Sequence, residues 1–313
     1  MGAFILRRLV ATIPVMLVVA IVVFLLLHLS PGDPAAIIAG DNATDADIER
    51  VRATLGLDKP LVTQFLLWLG ALLQGDFGVS VFNKLPVWGL ITQRLEPTLS
   101  LAVVTMTFAV ATAIPLGVIA AWKAGTWIDH AVMGIAVLAF SAPVFLIGYG
   151  LVYQFARVWR MLPVQGYTPL AEGFNAWWQH LVLPAIALGL VFSALLARMT
   201  RSTMLDVLNE DYIRTARAKG LAPRAVLLTH ALRNAAVPIV TTIGLGIALL
   251  IGGVVVTESV FAIPGIGRLT IEAVTQRDYP VIQGVILIAS LAYVLINLLI
   301  DVAYAFLDPR IRY

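Results

Sequence analysis

Side chains able to do acid–base, nucleophilic or metal chemistry are sparse in this sequence. Four histidines, His28, His130, His180 and His230, lie far apart, each near the end of a different apolar run. A metal site needs several ligands converging, so each reads as an interfacial residue. Cysteine is absent, which excludes disulfides and thiolate metal sites. Neither H-E-x-x-H nor G-x-S-x-G occurs. GLGIAL from Gly244 and GIGRLT from Gly265 begin like dinucleotide loops, but they lack the third glycine and follow no strand. There is also no G-x-x-x-x-G-K-[ST], so the chain has no phosphate cradle of that kind, and any work driven by ATP requires an ATPase on another subunit.

One stretch does gather charge. In NEDYIRTARAKG, residues 209–220, Glu210, Asp211, Arg214, Arg217 and Lys219 fall close together. The order predicts a short helix: Asn209 as its cap, Glu210 and Asp211 in the first turn, Arg217 and Lys219 in the last, and Gly220 just past the end. Each charge then complements the helix dipole. Tyr212, Ala216 and Lys219 lie along one side and Arg214 and Arg217 along the next, which leaves a slim flank at Ala216. GLAPRAVLLTHALRNAAVP follows as a second helix with Pro223 in its first turn. Two readings fit equally, a solvated loop or a docking helix for a cytoplasmic partner.

What must position this island is mostly oil. Of the 313 residues, 60% are hydrophobic and 12% charged, against roughly 25% charged in soluble domains. With a mean hydropathy of +0.93, the bilayer has to be the main solvent. The net charge of +3 is small and scattered, which argues against a nucleic-acid face. Six apolar runs free of Asp, Glu, Lys and Arg are long enough to span: 9–29, 98–121, 131–156, 181–197, 236–257 and 281–300. The fourth is the shortest and weakest. Arg7 and Arg8 place the N-terminus in the cytoplasm, and an even span count returns Arg310 and Arg312 to the same side. The basic loop 198–233 then also faces inward, while Arg157 and Arg160 fall on the outer side against the trend. The first run exceeds a signal-peptide core and has no A-x-A site after it, so it is expected to stay attached.

Between the first two spans, TDADIERVRATLG reads as a short helix capped by Thr44 and ended by Gly56, with Ile48, Val51 and Leu55 on one face. LVTQFLLWLGALL is apolar but too short to span and is expected at the outer interface or against the bundle. Pro14, Pro115, Pro143, Pro184 and Pro238 stand in or beside the spans, where each removes a backbone donor and can bend its helix. The spans hold no carboxylate for ion coupling, and their one histidine, His28, stands at the end of the first run; Glu258 and Asp301 are expected just beyond span ends, within reach of water or a partner, with structural anchoring as the favoured role. Ser141, Ser193, Thr241, Thr242 and Asn297 are the polar residues inside spans that a solute path would use, although small hydroxyls also pack between helices.

Nine strings in order carry a family resemblance: ILRRLV, PGDPA, LGLDKPL, GDFGVS, DYIRTARAKG, HALRNA, ESVFAIPGIGR, RDYPVIQ and LDPRIRY. Together they resemble the B-type permease subunit of bacterial ABC importers of the dipeptide, oligopeptide and nickel group, over nearly the whole chain. The resemblance implies an all-α membrane protein with the six-helix type I ABC importer permease fold. Residues 1–30 would hold the first span, 31–97 an external helical insertion, 98–307 a five-helix core with a cytoplasmic coupling loop at 198–235, and 308–313 a cytoplasmic tail. It further implies a transport subunit in the bacterial inner membrane that binds no cofactor of its own. Its partners would be a second homologous permease subunit, one or two ATPases holding ATP and Mg, and an extracytoplasmic substrate-binding protein. The island corresponds to the loop that docks into the ATPase, with Asp211, Tyr212, Arg214, Thr215, Ala216, Arg217 and Gly220 as coupling residues. Arg214 and Thr215 stand where the wider pattern has Glu and Ala. Small peptides are the implied solute, with glutathione and nickel as alternatives. A gradient-driven carrier, a channel and a scaffold are the readings from other classes.

Overall fold

The computed structural model describes residues 2–29, 33–40, 43–54 and 56–307. The expected Leu55 contact, parts of the PGDPA and LGLDKPL strings, and the tail 308–313 with Arg310 and Arg312 lie outside the described residues. The helices run in the order α1 (Gly2–Leu29), α2 (Pro34–Ala39), α3 (Asp45–Thr54), α4 (Leu61–Leu73), α5 (Val87–Trp122), α6 (Trp127–Ser141) and α7 (Val144–Leu151), the last continuing as a π-helical stretch Val152–Val158. After a 3-10 turn, Leu170–Glu172, come α8 (Phe174–Leu208), α9 (Asp211–Ala218), α10 (Pro223–Ala225), a second π stretch Val226–Ala231, α11 (Leu232–Val260), α12 (Ile266–Thr275) and α13 (Tyr279–Leu307).

Among the described residues five helices are long and apolar enough to cross a membrane, and six spans result if the bent pair α6–α7 counts as one. The bend of 101° has a local cause. Pro143 lacks a donor and drives the preceding residue out of the helical region, and Ala142 is extended at φ −80°, ψ 129°. Pro14, Pro115, Pro184 and Pro238 instead lie inside continuous helices, so only Pro143 breaks its span. The fourth run, the weakest by length, belongs to a helix of 35 residues, and its central stretch is the most enclosed of all the spans. Its apolar run looked short because Arg198 and Arg201 interrupt it while the helix continues to Leu208.

The chain divides into two compact units, Met1–Glu96 with Gly265–Leu295 and Pro97–Pro264 with Ile296–Tyr313. In the first, α4 lays Phe65, Trp68 and Leu72 on Ala20 and Val23 of α1 and Leu287 of α13, as its length required. Leu61, Val62, Leu66 and Leu67 on its other face are exposed. Gln64 is buried and donates to the carbonyls of Leu57 and Lys59, at 3.1 and 2.7 Å. Thr44 caps α3 through reciprocal bonds with Asp47, the two side chains meeting at 2.6 Å. Two of the quoted strings meet here. Asp278 of RDYPVIQ is buried and accepts from the Ser80 hydroxyl of GDFGVS at 2.5 Å and from the Val81 amide at 3.2 Å.

The second unit is built around α8. One cluster joins Leu181, Leu188 and Phe192 of α8 to Leu101 and Val104 of α5 and to Leu250 and Val254 of α11. Glycine permits one very close approach: a Cβ on Gly117 of α5 would lie 2.6 Å from Thr200 Cβ and 2.8 Å from the Ala197 carbonyl. Glu258 takes the anchoring role expected of it, but away from water. It lies within α11, wholly buried, and accepts from Thr98 Oγ1 at 2.6 Å instead of reaching water. The apolar run stops at Glu258, whereas the helix runs on to Val260 with that carboxyl group hydrogen-bonded inside the protein. Asp301 likewise falls inside α13 and is partly buried.

Candidate coupling site

The charged island forms α9, shifted from the expected start. Asn209 closes α8, at φ −90° and ψ −6°, instead of capping α9. Glu210, extended at ψ 146°, is the residue that precedes the new helix, and its side chain makes no capping bond. The reason is length: α8 continues past the membrane run to Leu208, so Asn209 is used as its C-terminus. Asp211 remains in the first turn and Arg217 in the last. The far end is as expected. Gly220 has φ +79°, its amide bonds to the Arg217 carbonyl at 2.9 Å, and the Leu221 amide bonds to the Ala216 carbonyl at 3.3 Å. This paired closure releases the chain toward Pro223, the first residue of α10.

The helix is sharply two-faced. Ile213 and Ala216 are buried in a cluster with Met204 of α8, Val118 and Ala121 of α5, Val226 and Leu227 of the second π stretch, and Ala235 of α11. The slim flank at Ala216 therefore packs into the chain's own helices. Ile213 and Ala216 are three apart, the helical spacing of a buried stripe, and that signal was available in the sequence. Tyr212, Arg214, Thr215, Arg217 and Lys219 are exposed. Arg214 donates to Asp211 at 3.1 Å, an exposed pair on the helix surface. The Tyr212 hydroxyl titrates above its ordinary value, first from partial burial and then from the nearby Glu210 carboxylate.

On α8, three residues before Met204, Arg201 forms an ion pair not singled out in the sequence. Asp129, in the first turn of α6, accepts from Arg201 Nε at 2.5 Å and Nη2 at 2.6 Å, and its Oδ2 also accepts from the Gly125 amide at 3.0 Å. The Asp129 side chain is 4% exposed. A lone acid at the head of an apolar run, with an arginine at the tail of another, was the available signal.

The five polar span residues lie on four helices, α6, α8, α11 and α13. Ser193 is buried and pairs with Thr112 at 2.8 Å, joining α8 to α5. Thr241 and Thr242 turn their hydroxyls back to the carbonyls of Val237 and Pro238, each at 2.9 Å. Thr242 also lines a small cavity with Met106, Phe192 and Gly246. Ser141 is exposed at the break before Pro143, and Asn297 is exposed on α13.

With this geometry in place, relatives decide the family. Residues 113–313 match the family described as the binding-protein-dependent transport system inner membrane component, and residues 1–102 match its N-terminal counterpart. The chain belongs to this transport family. The permease is 54% identical over 313 residues to a probable peptide ABC transporter permease protein from Sinorhizobium fredii, covering all of both chains. It is 46% identical over 313 residues to a putative peptide transport system permease protein from Brucella abortus, again covering all of both. It is 45% identical over 310 residues to a glutathione transport system permease protein from Escherichia coli, covering 99% of each. In fold it is similar to a chain of the MetNI methionine ABC transporter in inward-facing conformations, with a TM-score of 0.56 at 19% identity, covering 70% of the permease and 96% of that chain. A second crystal form gives 0.59 at 18% identity with the same coverage. The permease is thus a multi-pass membrane subunit of an ABC importer with the type I architecture.

Proposed function

We propose that the permease is one half of a heterodimeric pore through which an ATP-driven importer moves dipeptides, oligopeptides or peptide-like solutes into a bacterial cell. Full-length similarity at 54% identity to a relative named for peptide transport carries this reading. Glutathione, itself peptide-like, falls in the same class, and a 45% identical relative is named for it. The chain sits in the inner membrane with both termini cytoplasmic. A second, homologous permease subunit completes the pore, an extracytoplasmic binding protein delivers solute, and one or two ATPase subunits hold ATP and Mg. Residues 31–97 form the external insertion, 98–307 the core, and 198–235 the coupling loop.

In this reading α9 docks on the ATPase through Tyr212, Arg214, Thr215 and Arg217, with Asp211 ordering the first turn. Ile213 and Ala216 key the helix into its own subunit, and Gly220 turns the chain back toward the membrane. Movement of the ATPase then reaches α8, α5 and α11 by contact, because the buried cluster joins them. Ser141, Ser193, Thr241, Thr242 and Asn297 remain the proposed polar positions of the solute path.

The absence of native cysteine permits a direct test. A single cysteine replacing exposed Thr215 should cross-link to the ATPase subunit, while one replacing exposed Leu85 should react with a membrane-impermeant reagent from outside. Cross-linking at 85 but not at 215 would reverse the topology and remove the docking assignment.

A further inference from the structure

We propose that Asp129 and Arg201 are positioning residues for energy coupling, tying the base of α6 to α8 so that displacement of α9 moves the two helices together. The inference rests on the reading of α9 as the docking helix. Arg201 meets Asp129 through two nearly equal bonds of 2.5 and 2.6 Å, one to each carboxylate oxygen. A planar fork on a planar acceptor fixes orientation as well as distance. The third bond, from the Gly125 amide at 3.0 Å, adds the turn before α6 to the same assembly.

Stability alone does not account for such a pair. Asp129 is buried while the Arg201 side chain is 28% exposed, and two apolar side chains of similar volume can hold helices together as well as such a pair does, because desolvating the buried carboxylate offsets much of the Coulomb attraction. What the pair adds is a single allowed geometry between α6 and α8. Its place on α8 matters. Arg201 lies between Thr200, against which Gly117 of α5 is closely packed, and Met204, which shares a buried cluster with Ile213 and Ala216 of α9. The segment 197–204 is therefore where α5, α6 and α9 all bear on α8. With the pair intact, force arriving at Met204 carries α6 with it, up to the break at Pro143. Without it, α6 is held by apolar packing that tolerates sliding.

The test uses the assembled importer in vesicles with its binding protein and a dipeptide, at matched membrane abundance. Asp129→Asn and Arg201→Gln should each lower uptake by about tenfold while basal ATP hydrolysis remains, the scale expected when a coupling contact is lost. The double variant Asp129→Asn with Arg201→Gln separates positioning from folding. It leaves no unpaired buried charge, so thermal stability should return toward wild type, but uptake should stay low. Arg201→Lys, which keeps the charge and loses the fork, should also stay low. Wild-type uptake in Asp129→Asn, or recovery of uptake together with stability in the double variant, would overturn the proposal. If the wild-type permease itself fails to couple to an ATPase, the docking reading falls instead, so the two failures are distinguishable.

Discussion

Replacing Gly220 tests whether the end of α9 sets the direction of the loop that returns to the membrane. The residue sits at φ +79°, and a Cβ built there would meet nothing within 4 Å. Steric clash therefore adds nothing, and the cost of a side chain is torsional. The left-handed region costs an L-residue about 1–2 kcal/mol, and a β-branched residue is least suited to it. A chain that escapes by leaving this region gives up the bonds from the Gly220 and Leu221 amides to the carbonyls of Arg217 and Ala216. Each contributes about 0.5–1.5 kcal/mol net, so neither route is cheaper. A penalty of about 1–2 kcal/mol changes a local equilibrium by a factor of roughly 5–30, enough to redirect the segment entering at Pro223. Peptide uptake and substrate-stimulated ATP hydrolysis of the assembled complex should fall in the order Gly, Asn, Ala, Val, since asparagine tolerates this conformation best after glycine. Membrane insertion should be unchanged. Gly220→Val with wild-type coupling, or Gly220→Asn as damaged as Gly220→Val, would refute the reasoning.

Other substitutions follow from burial. Ala216→Trp overfills a packed cluster and should destabilise the subunit by about 1–3 kcal/mol even without its partners, seen as a lower unfolding temperature in detergent; an effect confined to the assembled complex would place Ala216 at the interface. Arg214→Gln breaks only an exposed pair, worth about 0–1 kcal/mol, so the subunit's unfolding temperature should scarcely move, and a large fall would show that the pair is not solvated. Asp278→Ala strands the Ser80 hydroxyl and the Val81 amide, at about 1–3 kcal/mol for each group left unsatisfied, and should expose residues 78–86 to protease; wild-type resistance would contradict the bond pattern.

The spans were legible because a bilayer admits long charge-free runs and little else, so five of the six runs fall in continuous spanning helices and the third in the bent pair α6–α7. Their ends were not. Glu258 and Arg198 mark where apolar runs stop, yet α11 and α8 continue past them; Thr98 bonds Glu258, and Asp129 bonds Arg201 within the extension of α8, and such partners are invisible to a linear pattern. The same extension of α8 took Asn209 away from α9. Gly220 was readable because only one backbone conformation explains a glycine there. The burial of Ala216 was not legible from Ala216 alone, because a small residue suits a partner's cleft and an internal close packing equally well; Ile213, three residues away, carried the signal for the buried stripe. Of the prolines, only Pro143 breaks its helix, and the sequence did not distinguish it from Pro115 or Pro184.

The central claim is that this permease couples an external ATPase to movement of a peptide-like solute. Reconstitution measures it most directly, with the purified chain placed in vesicles alone and then with its second permease subunit, ATPases and binding protein. The account predicts no ATP hydrolysis and no accumulation by the chain alone, and accumulation of dipeptide that requires ATP in the full assembly. Dipeptide accumulation by the isolated chain under an ion gradient would contradict it.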